Sequence, residues 1–352
     1  MNYQGVINRY RDLIHLPTDI DPVTLLEGNT PLIPVPALAE ELGGGFELYI
    51  KFEGLNPTGS FKDRGMTAAM TMAKAKGAKA VICASTGNTA ASAAAYARRA
   101  GLRAIVMIPE GKVAVGKLAG AIAYGAEVIQ IPGSFDEALS LVVEISQKST
   151  VELVNSLNPY RLEGQKTSSF EICDVLGQAP DWLCLPVGNA GNITSYWMGF
   201  KQYHQLKNTG LPHILGVQAA GSAPLVIGHA VDHPETIATA IRIGRPARGE
   251  EALAAAEEST GKIIAVTDDE ILAAQKMLAL NGIWVEPASA AGIAGLKAQI
   301  QTGSINVNQK RIVAICTGHG MKDPDIITSK MTKPTLLPAD YDAIEAFILR
   351  KP

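Results

Sequence analysis

One lysine, Lys62, sits inside N-P-T-G-S-F-K-D-R-G-M (residues 56–66), where proline and glycine argue for a loop and the residues that follow argue for a helix. An ammonium in a loop is ordinarily a solvated surface charge. Facing an anion-binding loop in a dry cleft, it would instead shed its proton and become nucleophilic toward an aldehyde. Three other glycine-bearing runs offer it company. S-T-G-N-T (85–89) follows the apolar run A-V-I-C-A and opens an alanine-rich helical pattern; its hydroxyls and main-chain N–H groups read either as a helix cap or as a nest for a carboxylate. G-N-A-G-N (188–192) follows W-L-C-L-P-V and reads either as a tight turn with an Asn cap or as a phosphate cradle, because glycines let main-chain N–H groups approach an anion at the positive end of a helix. T-G-H-G-M-K-D (317–323) follows R-I-V-A-I-C. A fourth run, G-K-V-A-V-G-K-L (111–118), starts like a nucleotide-binding loop but places Leu118 where a Ser or Thr must hold magnesium, which weighs against an ATPase and leaves Lys112 a solvated charge.

Groups so far apart in the chain need a scaffold that collects strand ends. Short apolar runs at 46–52, 80–84, 104–108, 127–131, 182–187, 213–219 and 311–316 alternate with helical patterns such as 89–99, 135–147, 193–206 and 271–280. That alternation predicts βαβ units and parallel sheets. The strands lack a polar alternate face, so both faces should be covered by helices and ligands should gather at the carboxyl ends. At 352 residues the chain is about twice a usual domain, which predicts two domains. No linker, repeat or low-complexity run marks a boundary between them.

Composition narrows the function classes. Hydrophobic residues make up 47% and charged residues 18%, a globular composition. With 31 basic and 34 acidic residues and no basic block, neither nucleic acid nor an anionic membrane is an expected partner. Cys83, Cys173, Cys184 and Cys316 lie far apart with no metal-ligand spacing, so no metal is expected. The N-terminus carries charge where a signal peptide needs an apolar stretch, and no run approaches about 18 apolar residues. The expectation is a cytoplasmic protein.

A Schiff-base lysine, a cradle for a phosphate and a partner for a ring nitrogen are what pyridoxal 5'-phosphate requires. In sequence order, N-P-T-G-S-F-K-D-R-G, S-T-G-N-T-A-A-S, P-V-G-N-A-G-N and C-T-G-H-G-M-K-D-P resemble the pyridoxal-phosphate enzymes of the tryptophan synthase β-subunit fold, fold type II, and among them the threonine synthases. The resemblance runs from about Gly28 to Asp325. Each piece is modest, but four in order are specific. It implies an α/β fold of two domains, each a mostly parallel sheet covered by helices: residues 1–59 with 154–352 as the larger, cofactor-binding domain, and 60–153 as a smaller mobile one. By the same resemblance Lys62 carries the cofactor and moves protons, and Asn88 bonds the ring hydroxyl. Gly188, Asn189, Ala190, Gly191 and Asn192 bind the cofactor phosphate, and Thr317 faces the pyridine nitrogen.

The dehydratases of this fold place an apolar or small residue after the lysine, and cysteine synthases tend to read S-V-K-D-R; this chain has S-F-K-D-R-G-M. Its V-N-S-L-N-P-Y-R-L-E-G-Q-K-T segment (154–167) also resembles threonine synthase. O-phospho-L-homoserine is then the implied substrate, with threonine/serine dehydratase the alternative reading. Its carboxylate would meet Ser85, Thr86, Asn88 and Thr89. Its phosphate ester would meet Asn155, Ser156 and Arg161, whose planar fork suits phosphate, with Lys117 a further contributor. The alternative for Asn155 and Ser156 is a capped turn, and for Arg161 the exposed start of a helix. The resemblance also implies a homodimer.

Overall fold

Two separate sheets underlie the alternation of apolar runs and helical patterns. The computed structural model describes residues 2–111, 115–325 and 334–349, except for the side chains of residues 115–117, 135 and 136. Six strands form one sheet in the order β1 (Leu32–Pro34), β2 (Glu47–Phe52), β10 (Arg311–Cys316), β7 (Trp182–Pro186), β8 (His213–Ala219) and β9 (Lys262–Val266). Four form the other, in the order β5 (Glu127–Ile131), β4 (Arg103–Pro109), β3 (Ala80–Ala84) and β6 (Val151–Leu153). Every pairing is parallel except that of β1 on β2. β1 is an edge strand, where Pro34 can be accommodated.

The seven expected strands are all present, within a residue or so at each end. β1, β6 and β9 were not among them; all three are edge strands, and the first two have only three residues each. One expectation is corrected. E-V-I-Q-I is not buried, because β5 is an edge of its sheet and leaves Glu127, Ile129 and Gln130 exposed. Central strands behave as predicted: β3 and β7 are buried along their whole length.

Small residues bring the helices close. In helix Pro287–Gln301, a Cβ on Gly292 would lie 3.2 Å from Cys184 O and one on Gly295 would lie 2.5 Å from Val217 Cγ2, so this helix presses directly onto β7 and β8. Helix Asn88–Ala100 buries Ala90, Ala91, Ala93, Ala94, Ala95 and Ala97, and Gly101 ends it in the left-handed region at φ 75°. Helices Lys62–Ala75 and Pro159–Gln165 meet backbone to backbone: a Cβ on Gly164 would overlap the Arg64 carbonyl, and one on Gly65 would lie 2.9 Å from Arg161 O. That crossing brings residues 62 and 161 to the same place.

Behind it lies a closed set of buried charges. Arg64 donates from Nε to Glu53 Oε2 at 2.6 Å and from Nη2 to Glu171 Oε2 at 2.6 Å, while Lys51 Nζ reaches the same Glu171 oxygen at 2.7 Å. Two cations face two carboxylates, with Thr30, Thr167 and Ser168 taking further bonds. Sequence reading assigned none of these a role. Among the described residues, no helix is long and apolar enough to cross a membrane, and no cluster of His, Cys, Asp or Glu could hold a metal.

Candidate active site

The strand ends converge as the parallel topology requires. S-T-G-N-T follows β3, G-N-A-G-N follows β7 and T-G-H-G follows β10. Lys62 is the first residue of helix Lys62–Ala75 rather than part of the preceding loop. Its loop is laced to the last of these runs: Phe61 N donates to Thr317 O at 2.9 Å, His319 N to Gly59 O at 2.9 Å and Lys322 Nζ to Thr58 O at 3.1 Å. Asp63 ties the same turn to the four-stranded side, accepting from Thr58 N at 2.7 Å and from the hydroxyls of Thr58 and Ser92 at 2.6 Å each. Burial pushes the Asp63 carboxyl up to about 6.

The Lys62 ammonium is disfavoured. Burial first, and then the positive charge of Arg161, push its pKa down to about 7, while the Glu286 carboxylate acts in the opposite sense. An amine half-neutral at physiological pH is suited both to attack a carbonyl and to shuttle protons.

Arg161 is not at an exposed helix start. It is 1% exposed, its Nη1 donates to Val154 O at 3.2 Å, and its Nε has no partner. No carboxylate among the described residues forms an ion pair with it. Burial pushes its pKa down to about 10. A buried, unpaired guanidinium is costly and forms a ready site for an anion. Its neighbour Asn155 has its side chain committed to the backbone: Oδ1 accepts from Ala84 N at 3.0 Å and Nδ2 donates to Ala84 O at 2.9 Å. Asn155 therefore fixes the end of β3 against residues 154–156, and any grip on a ligand from this turn falls to the half-buried Ser156 and to main-chain groups.

At the G-N-A-G-N turn, Ala190 adopts φ 64°, a left-handed conformation that costs a non-glycine residue free energy and clusters at ligand sites. Gly188 is needed because a Cβ there would lie 3.0 Å from Ile241 Cα. Asn192 Nδ2 is buried without a partner at the start of helix Gly191–Lys207, a donor aimed where the helix favours an anion. Asn189 Oδ1 accepts from Ala247 N at 3.4 Å. Across the cleft, Thr317 shares a 2.8 Å hydrogen bond with Ser289, whose Oγ also accepts from Gly318 N at 2.8 Å.

Asn88 is the first residue of helix Asn88–Ala100, and its Nδ2 donates to both oxygens of Glu286 at 3.0 Å. Ser85, Thr86 and Thr89 lie half-buried beside it, and Ser85 Oγ accepts from Gly87 N at 3.3 Å. Lys112 and the side chain of Lys117 fall outside the described residues. Leu118, in the run resembling a nucleotide loop, is a core residue packed among small-sheet side chains. Sequence reading missed Glu286 and Ser289; Pro287 signals a helix start there, but one glutamate before a proline carries no chemistry on its face.

Residues 23–318 match the family described as pyridoxal-phosphate dependent enzyme. The chain is 60% identical over 328 residues to a threonine synthase of Synechocystis sp., covering 92% of this chain and 84% of that one. It is 55% identical to a threonine synthase of Halalkalibacterium halodurans, covering 97% and 96%, and 50% identical to one of Methanocaldococcus jannaschii, covering 97% and 86%. Among solved structures, threonine deaminase isoform 2 of Solanum lycopersicum superposes with a TM-score of 0.74 at 26% identity, over 93% of this chain and 89% of that one. The residues present fit the cofactor's chemical needs: a lysine of lowered proton affinity, an unpartnered amide donor in a turn with a strained backbone, and a hydroxyl fixed by Ser289. The chain belongs to the pyridoxal-phosphate dependent enzyme family.

Proposed function

We infer that the chain is a threonine synthase, converting O-phospho-L-homoserine and water to L-threonine and inorganic phosphate. The observation that carries this beyond the family is Arg161, a buried cation with a free Nε whose charge is felt at Lys62. An enzyme that only deaminates has no second phosphate to bind. The identity of 50% to 60% with threonine synthases over most of the chain supports the same reading.

Pyridoxal phosphate, when bound, supplies an electron sink that makes the substrate's Cα and Cβ hydrogens acidic. Gly188 to Asn192 would hold its phosphate, and Thr317, kept in place by Ser289, would offer its hydroxyl to the ring nitrogen; a hydroxyl there would not promote ring protonation as a carboxylate does. Ser85, Thr86, Asn88 and Thr89 receive the substrate carboxylate. Lys62 Nζ takes the Cα proton and, only after giving that proton up, takes a Cβ proton. Arg161, with Ser156 and the backbone that Asn155 fixes, carries the phosphate ester and stabilises the charge that grows on it as it leaves Cγ. Lys62 returns one proton to Cγ and the other to Cα, while water adds its hydroxyl at Cβ and its remaining proton passes to the released phosphate. Residues 60–153 form a smaller unit that closes over the substrate and keeps water out until that last step. The protein acts as a cytoplasmic homodimer.

The test is to assay the purified protein in parallel for phosphate release from O-phosphohomoserine and for keto acid from threonine and serine. Phosphate release with threonine formation is the expected result. Keto acid without phosphate would make it a dehydratase.

A further inference from the structure

Glu286 precedes helix Pro287–Gln301 on the six-stranded side of the cleft, yet its side chain does not cap that helix. It reaches across instead. Both carboxylate oxygens accept from Asn88 Nδ2, 198 residues away in the chain and on the four-stranded side. The Glu286 N–H donates to Gly318 O at 3.2 Å, and a Cβ on Gly318 would overlap the carboxylate. At 4% exposure the group is shut off from bulk water, and no Lys or Arg among the described residues comes within ion-pairing distance. The charged groups that face it are Lys62, and Lys322 and Asp323 of the turn after β10; burial raises its pKa, while the Asn88 bond and the positive charges of Lys322 and Lys62 favour the carboxylate. Lys62 in turn faces Arg161.

Stability alone does not account for a buried carboxylate in this position. Ser, Thr, Asp or Asn would cap the helix better, and an apolar residue would avoid the cost of burying a charge. The chemistry does account for it. On the reading that Lys62 carries protons, it must become an ammonium and then give the proton up again within each cycle, and Arg161 opposes every such uptake. A negative charge nearby evens out the two states.

We propose that Glu286 is a positioning residue whose carboxylate supplies the counter-charge that lets Lys62 hold a proton beside Arg161, while its grip on Asn88 Nδ2 fixes that amide in one orientation across the cleft. The prediction concerns Lys62 itself rather than turnover. The full-length protein, stripped of cofactor, is pulse-labelled with acetic anhydride across pH 5 to 10, and acetylation of Lys62 is followed by peptide mass spectrometry. Unmodified protein should show a midpoint near 7. In Glu286→Gln, which keeps size and hydrogen bonding but loses the charge, the midpoint should fall by about one pH unit, so that Lys62 reacts about five-fold faster at pH 6. Glu286→Asp should restore a midpoint within about 0.3 of the unmodified protein. A purely structural role would change folding or cofactor affinity and leave the midpoint alone, so an unchanged midpoint in Glu286→Gln overturns the proposal. Should that variant not fold, the arginine-free comparison decides it: in Arg161→Gln the midpoint rises, and in the double variant Arg161→Gln with Glu286→Ala it must fall back; no fall overturns the proposal equally. Adding pyridoxal phosphate should protect Lys62 from the reagent in every folded variant. Failure of that protection would count against the assignment of Lys62, independently of the midpoints.

Discussion

Arg161→Met removes a guanidinium that is buried, keeps a side chain of similar length, and leaves one main-chain acceptor, Val154 O, without its donor. Two effects of opposite sign follow. The fall of the guanidinium pKa from its ordinary value to about 10 corresponds to roughly 3 kcal/mol of unfavourable burial at neutral pH, at about 1.4 kcal/mol per tenfold. Losing the bond to Val154 returns about 1 to 2 kcal/mol of that. The variant should therefore unfold later, by about 1 to 2 kcal/mol, or about 1 to 3 °C in Tm. Function moves the other way. Without a charge-assisted contact to the phosphate ester, kcat/KM for phosphate release should drop by about 2 to 4 kcal/mol, roughly 30-fold to 1,000-fold. Slow deamination of threonine or serine should fall much less, since those substrates bring no phosphate. Calorimetry in phosphate-free buffer and parallel phosphate and keto-acid assays read both effects. A variant that loses stability, or that loses both activities together, would refute the reasoning and make Arg161 a structural residue.

Lys62→Ala should abolish threonine formation while the G-N-A-G-N turn retains some non-covalent affinity for the cofactor; substantial turnover in that variant would remove Lys62 from the mechanism. Thr317→Asp should promote ring protonation and shift the visible band of the holoenzyme, and an identical spectrum would mean that Thr317 does not face the ring nitrogen. Asp63 gives a pH signature. Its folded carboxyl titrates at about 6 against an ordinary 3.8, so the folded protein holds a proton that the unfolded chain has released, and its contribution falls as pH rises from about 4 to 6 and is level above. Asp63→Asn should flatten that slope in denaturant titrations, by at most about 3 kcal/mol across the window. Gly164→Ala should cost about 1 to 3 kcal/mol or more, because its methyl group would occupy the position of the Arg64 carbonyl; urea midpoints would register it.

The strands and the loops after them were legible because both depend on local chemistry. A-V-I-C-A and W-L-C-L-P-V have no polar face to turn outward, and Gly188 and Ala190 sit where a strand must reverse into a helix. What was not legible depends on partners distant in the chain. Lys51 lies in a largely apolar strand and Arg64 two residues after Lys62, and nothing near them in sequence announces Glu53 and Glu171 as a shared counter-ion set. Glu286 acquires meaning only once the fold brings Asn88 to it. Arg161 was named, but its burial was not, because P-Y-R-L-E-G reads equally well as the exposed first turn of a helix. β5 misled for a related reason: an apolar run does not say whether it will be an inner strand or an edge.

The place of β10 bears on how the protein is made. Among the described residues it is the last strand, yet it lies between β2 and β7, pairing Ile312 with Leu48 on one side and Trp182 on the other. Until the ribosome has delivered residues 311–316, those two strands have open edges where a neighbour belongs, and the turn carrying Lys62 lacks the Thr317 and His319 main chain that holds it. Lys62 is thus synthesised early and set in place late. Pairing across such a sequence separation is slow, and exposed parallel edges invite association with other chains, so the nascent polypeptide is most in need of chaperone shelter during the long interval before its final strand arrives. A message truncated just before that strand would yield a polypeptide with most of its helices but without Thr317 and the main chain that holds the turn before Lys62.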